Sequence, residues 1–253
     1  MAAHTAAKRG RYLYAIVPAT GKRHHGFAGI DGAPVYTISN GRVAAVVSDI
    51  PYQKIRPERR HLAAQQAVLK GLLSQADALL PMAFGIIAVG AKEVQEILTR
   101  NHDPLAKQLQ RVAGKVEMGL RVSLDVPNIF EYFVNTHPEL RAARDRFLGS
   151  KRNPSHDDKI ELGRLFDRFL QEDREAYTEG VEEILSPVCF EIKRNKCRHE
   201  GEVMSLACLV GRDAQDRFEA GVFEAAKLFD NNFSFDYNGP WAPHNFVELN
   251  LEL

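Results

Sequence analysis

From residue 115 to residue 238 the chain changes hydrophobic period in an order that few folds satisfy. "KVEMGLRVSLDV" (115–126) puts Val116, Met118, Leu120, Val122 and Leu124 at every second position, the pattern of a half-buried strand. "NIFEYFVNTHPELRAARDRFLG" then predicts two short helices split near Pro138. A long helix follows from Ser155, with Asp158 three residues on as a capping-box-like pair. Its stripe is Leu162, Leu165, Phe166, Phe169, Leu170, Tyr177, Val181, Ile184 and Leu185, and Pro187 ends it. "VCFEIKRN" (188–195) and "EVMSLACLVG" (202–211) predict a hairpin with a basic tip. Asp213 is placed to cap a helix carrying Phe218, Val222, Phe223, Ala226 and Phe229, and "FSFDYN" (233–238) is the last strand. The order β, α, β, β, α, β is the ferredoxin-like split βαβ pattern, with both crossover helices on one face of a four-stranded sheet. Phe166, Phe169, Phe223 and Phe229 are expected to share that face.

The first half reads differently. "RYLYAIVP" (11–18) is a strand, and "PVYTISNGRVAAVVSDIP" is a hairpin whose Asn40-Gly41 pair tolerates the positive φ of a tight turn. Pro57 suits the first turn of a helix over 57–75, with Leu62, Leu69, Leu72, Leu73 and Ala76 on its apolar side. "ALLPMAFGII" (78–87) reads as a buried strand interrupted by Pro81, and residues 90–114 as two helices broken near Asp103-Pro104. The expected fold class is α+β. Residues 1–10 form a loose terminus, 11–114 an N-terminal α/β domain, 115–238 a ferredoxin-like domain and 239–253 a C-terminal tail.

That tail, "GPWAPHNFVELNLEL", holds the only tryptophan, Trp241, and then alternates apolar and polar residues. Disordered tails are polar, because they bury too little apolar surface to offset the entropy of ordering. Phe246, Val247, Leu249 and Leu251 need a surface. The expectation is that the tail docks on the N-terminal domain with Trp241 at least partly buried.

Little in the sequence equips it for chemistry. Cys189, Cys197 and Cys208 are odd in number and lie in one region, against a disulfide framework. They lack paired metal-ligand spacing with His199, and Cys208 falls on the apolar face of its strand. No Gly-x-Ser-x-Gly elbow occurs, and "GIDGAP" (29–34) lacks the lysine of a phosphate loop. Glu172, Asp173, Glu175, Glu179, Glu182 and Glu183 crowd the long helix without a Glu-x-x-His pattern, so they read as a solvated face. The basic tip (Lys193, Arg194, Lys196, Arg198) has no stacking aromatics on strands 115–126 and 202–211, which argues against single-stranded RNA. Lys+Arg and Asp+Glu balance at 33 each, leaving no net field for nucleic acid or an anionic membrane. No apolar run approaches the roughly 18–20 residues of a membrane span. No signal segment opens the chain, so a cytoplasmic setting is expected, with no catalytic, cofactor-binding or metal site.

Five stretches occur in a telling order: "RYLYAIV", "GIDGAPVYTISNGRVAAVVSDIP", "LLPMAFGII", "EMGLRVSLDV" and "GPWAPHNFVEL". Together they resemble the gas vesicle accessory proteins of the GvpL/GvpF family over nearly the whole chain. The resemblance implies an N-terminal α/β domain, a C-terminal ferredoxin-like domain and no enzymatic activity. It also implies a minor constituent or assembly factor that binds the hydrophobic shell protein, and other accessory proteins as further partners. Where that family carries a His-Glu pair in the first long helix, this chain has Gln65-Gln66; where it carries Arg in the Leu-Pro-x-x-Phe-Gly run, this chain has Ala83. The expectation is that the missing charges belonged to one internal polar network. The competing functional class is a small-ligand-sensing module, since ferredoxin-like domains bind small molecules at a sheet edge. One further element, "NIFEYFV", carries more apolar side chains than a short helix hides, and is expected to pack between the domains or on a partner.

Overall fold

Tyr12, Leu13, Tyr14, Ala15 and Ile16 are all fully buried, because β1 (Arg9–Pro18) has neighbours on both edges and apolar layers on both faces. The computed structural model describes residues 9–19, 21, 24–148, 155–249 and 251. The chain divides into two units, one running to Glu117 and resuming at Gly239, the other Met118–Asn238. Lys115, Val116 and Glu117 thus fall with the first unit.

In the first unit β2 (His24–Ala28), β3 (Pro34–Ser39), β4 (Val43–Pro51), β1 and β5 (Leu80–Pro81) follow one another across an antiparallel sheet. β6 (Ile87–Ala88) also pairs with β1. Helix α1 (Arg59–Leu73) packs on the face bearing Tyr12, Tyr14, Ala44 and Val46. Helices α2 (Gly90–Arg100) and α3 (His102–Val112) cover the other, with Leu13, Ile16, Ala45 and Val47.

Several expectations are corrected here. Arg9 and Gly10 are part of β1, not of a loose terminus, and residues 1–8 lie outside the described residues. β2 escaped the sequence reading because its "HHGFA" alternates exposed and half-buried residues with little apolar content. Only Gly41 of the Asn40-Gly41 pair takes a positive φ. Asn40 acts through its side chain, whose Oδ1 accepts from the N–H groups of Arg42 and Val43, both at 3.1 Å. Pro57 precedes α1, and Leu62 is exposed; the buried side is His61, Gln65, Val68, Leu69, Leu72 and Leu73. The strand expected over 78–87 is two short bridges around a loop in which Gly85 has φ 88°. α2 and α3 part at Asn101, and Pro104 sits in the first turn of α3, where a missing N–H costs nothing.

The second unit is built on β7 (Lys115–Leu124), β8 (Cys189–Arg194), β9 (Glu202–Gly211) and β10 (Phe233–Trp241), in the order β10-β7-β9-β8. This is the ferredoxin-like order the sequence pattern required. Helix α6 (His156–Leu185) starts at the expected capping box: Ser155 Oγ accepts from Asp158 N at 3.1 Å, and Asp158 Oδ2 accepts from Ser155 N at 2.8 Å. Val181 and Leu185 of α6 share one apolar cluster with Phe218, Val222 and Ala225 of α7 (Gln215–Ala226) and with the strands. Both helices therefore lie on the same face.

The N-terminal half of α6 serves a different core. Leu162, Phe166, Phe169 and Leu170 pack with α4 (Ile129–Thr136) and α5 (Pro138–Leu148), so Phe166 and Phe169 do not join the sheet cluster. "NIFEYFV" contributes to that same core, with Phe133 and Val134 buried and Ile129, Phe130 and Tyr132 partly buried against it. Phe223 is 62% exposed. Asp213 does not cap α7; Ala214 holds the N-cap position without a side-chain bond. β10 continues past Asn238 through Gly239, Pro240 and Trp241.

Candidate interaction surfaces

The end of the chain is pinned to the first unit by a buried carboxylate. Glu117 Oε2 accepts from the backbone N–H of Asn245 at 2.8 Å, and Oε1 accepts from its Nδ2 at 2.7 Å. Next to this clamp Phe246 is fully buried, and Val247, Leu249 and Leu251 pack on the face formed by Leu13, Ile16, Ala45 and Val47. The tail therefore docks as its composition demanded. Trp241 keeps 40% of its surface, so the deep anchor is Phe246 instead. Between the tail and the 81–86 segment runs an apolar groove of ≈ 380 Å³, lined by Pro81, Met82, Ile86, Val247, Leu249 and Leu251.

Beneath α1 lies a buried polar network that holds the 82–85 loop. Tyr12 OH donates to Gln65 Oε1 at 2.6 Å, Gln65 Nε2 donates to Met82 O at 3.0 Å, and Gly85 N donates to Tyr12 OH at 3.1 Å. Burial pushes the Tyr12 phenol up to about 12, so it stays a neutral donor. Tyr14 OH lies 2.8 Å from Ser48 Oγ and accepts from Ile30 N at 2.8 Å. Gln65 belongs to this network, but Gln66 and Ala83 are exposed. In this chain, then, one of the three positions is internal and two face solvent.

In the second unit, α6 and the edge strand β8 enclose an open groove of ≈ 690 Å³, lined among others by Glu179, Glu182, Glu183, Phe190 and Arg194. Arg194 grips α6 with a two-pronged contact to Glu182 at 2.7 Å on both oxygens, and reaches Glu175 at 2.6 Å. Two carboxylates hold this guanidinium above its ordinary pKa. The basic tip is accordingly partly neutralised by the acidic helix face, a pairing between distant positions that neither run announces alone. Elsewhere on α6, Asp173 lies 3.3 Å from His137 and Glu172 lies 3.7 Å from Arg168. Among the described residues no His/Cys/Asp/Glu group could hold a metal ion, and no helix is long and apolar enough to cross a membrane. Cys208 is buried in the sheet core, and Cys197 Sγ donates to Val203 O at 3.6 Å.

A sheet-and-helix unit clamped by its own C-terminal segment, together with a ferredoxin-like unit, defines a two-unit α+β protein. The chain belongs to the family of gas vesicle synthesis proteins GvpL/GvpF, whose model matches residues 10–248. Among its relatives, gas vesicle protein F of Dolichospermum flosaquae is 25% identical over 240 residues, covering 94% of this chain and 97% of that protein. Gas vesicle protein F2 of Halobacterium salinarum is 26% identical over 245 residues, covering 95% and 93%. The crystal structure of GvpF from an Anabaena species superposes with a TM-score of 0.81 at 23% identity, covering 95% of this chain and 98% of that one. GvpF from Microcystis aeruginosa does so with a TM-score of 0.78 at 21% identity, covering 95% and 99%. The fold is thus shared with both structures, and the family is tied by its description to gas vesicle synthesis.

Proposed function

We propose that this chain binds the hydrophobic shell protein of the gas vesicle and keeps it from aggregating during vesicle formation, as an assembly factor or minor structural component. The observation that carries this reading is the family match over residues 10–248. A shell that excludes liquid water must be apolar toward the gas, and unassembled subunits with that surface exposed would associate without order. A partner that covers the surface holds the subunit back by mass action and releases it to the growing wall. The apolar groove rimmed by Val247, Leu249 and Leu251 supplies a surface of suitable chemistry. Other gas vesicle accessory proteins are further partners on this reading, the working location is the gas vesicle and the cytoplasm around it, and no step requires catalysis.

Co-purification of the shell protein with the full chain, at low and at high salt, tests this. Apolar contact predicts capture in both conditions, since screening weakens only charge–charge attraction. No capture at either salt concentration refutes the reading.

A further inference from the structure

β8 is the outer strand of the second sheet, paired with β9 on one side only. Its register runs Glu191↔Leu209, Ile192↔Cys208 and Lys193↔Ala207, and Asn195 N donates to Ser205 O at 2.7 Å. Antiparallel pairing alternates hydrogen-bonded and non-hydrogen-bonded positions. Glu191 and Lys193 therefore bond to β9, and the N–H and C=O of Ile192 point along the open edge. Such an edge is a template for a further strand. Glu191 and Lys193 share one face of β8, 3.9 Å apart, opposite Leu209 and Ala207 of β9. Phe190 is 67% exposed.

We propose that β8 pairs antiparallel with β8 of a second copy of this chain, about a two-fold axis through Ile192. In that register Glu191 faces Lys193 of the second copy, and Lys193 faces Glu191 of the second copy. Ile192 meets its own counterpart, N–H to C=O in both directions, as its outward amide requires. Phe190 comes to Arg194 of the second copy, a cation–π arrangement. Charges on an edge strand ordinarily guard it, because an incoming strand meets like charge. Here "FEIKR" is its own complement: reversed on Ile192, acid meets base at both positions. An exposed phenylalanine is likewise the opposite of a guard residue. The strand is only 6 residues long, and Glu179 and Glu183 line the groove in each copy. The interface thus falls short of the about 800 Å² per partner of a standard complex, and the dimer is weak and concentration-dependent.

Sedimentation velocity of the full chain over a wide concentration range tests the proposal. The unaltered chain should pass from monomer to dimer as concentration rises. K193E sets like charges opposite one another at both pairs and should weaken the dimer roughly tenfold. The double variant E191K/K193E restores opposite charges in exchanged order and should recover dimerisation to within about twofold of the starting chain. F190S alters a side chain that is 67% exposed and should also weaken it. A chain that is monomeric at every concentration overturns the proposal. So does a dimer indifferent to K193E and F190S, or one that K193E disrupts and the double exchange fails to restore.

Discussion

Glu117 holds Asn245 by both of its donors, backbone N–H and side-chain amide, 128 residues along the chain. Glu117 is 7% exposed, so these bonds form away from competing water. Hydrogen bonds to an ionised acceptor contribute about 1.5–3 kcal/mol, and their loss leaves buried donors unmet. Glu117→Ala should destabilise the first unit by about 2–3 kcal/mol in chemical denaturation. Glu117→Gln, which keeps one acceptor, should cost less. Amide exchange in residues 242–249 should accelerate in both variants; protection equal to the starting chain in Glu117→Ala would remove the clamp from the account.

The tail anchor gives a second expectation. Phe246 is fully buried, and Phe→Ala in a core costs about 3–5 kcal/mol. Phe246→Ala should lower Tm clearly, and Trp241→Ala, at a site 40% exposed, should lower it much less. A truncation that tests the tail should start after Trp241, because β10 runs to that residue. Removal of 242–253 should then speed proteolysis of the first unit; digestion at the starting rate would make the segment dispensable.

How far the sequence foretold these features depends on how local each signal is. α6 was legible from end to end, since a capping box and an apolar stripe are both written within one helix. The ferredoxin-like order was legible because strands and helices alternate in period. What the sequence hid was assignment between distant partners. Phe166 and Phe169 carry the same stripe as Val181, yet pack against α4 and α5 rather than the sheet. Phe223 is exposed because, two residues from buried Ala225, it lies on nearly the opposite side of α7 from the Phe218, Val222 and Ala225 face. β2 was missed because an outer strand with one half-covered face needs little apolar content. Gln65 was flagged by family resemblance alone; that it meets Tyr12 and Met82 emerges only from the fold.

That network makes stability depend on alkaline pH. The Tyr12 phenol is raised to about 12 by burial, so ionisation is harder in the folded chain than in the unfolded one. A raised pKa stabilises fully below the unfolded value near 10 and is lost as pH climbs through the folded value. Denaturation midpoints should therefore fall between about pH 10 and pH 12. Tyr12→Phe strips Gln65 of a donor and Gly85 of an acceptor, and should cost about 1–3 kcal/mol at neutral pH. The same variant should flatten the alkaline decline; an unchanged decline would assign it to other tyrosines.

Two glycines of one short loop separate steric from conformational cost. A Cβ on Gly29 would stand 2.1 Å from Tyr14 OH, and Gly29 has an ordinary negative φ of −90°. Gly32 is the reverse case, with φ 77° and nothing within 4 Å of its added Cβ. Gly29→Ala must push Tyr14 away from Ser48 and Ile30, both bonded to its hydroxyl at 2.8 Å. Overpacking of this kind costs about 1–3 kcal/mol, and the displaced hydroxyl leaves buried partners unmet in addition. Gly32→Ala meets only the left-handed backbone penalty of about 1–2 kcal/mol. Combining Gly29→Ala with Tyr14→Phe removes the oxygen that clashes, so the double variant should lose less stability than the two single losses added together. Strict additivity in urea denaturation would place the cost of Gly29→Ala somewhere other than the Tyr14 hydroxyl.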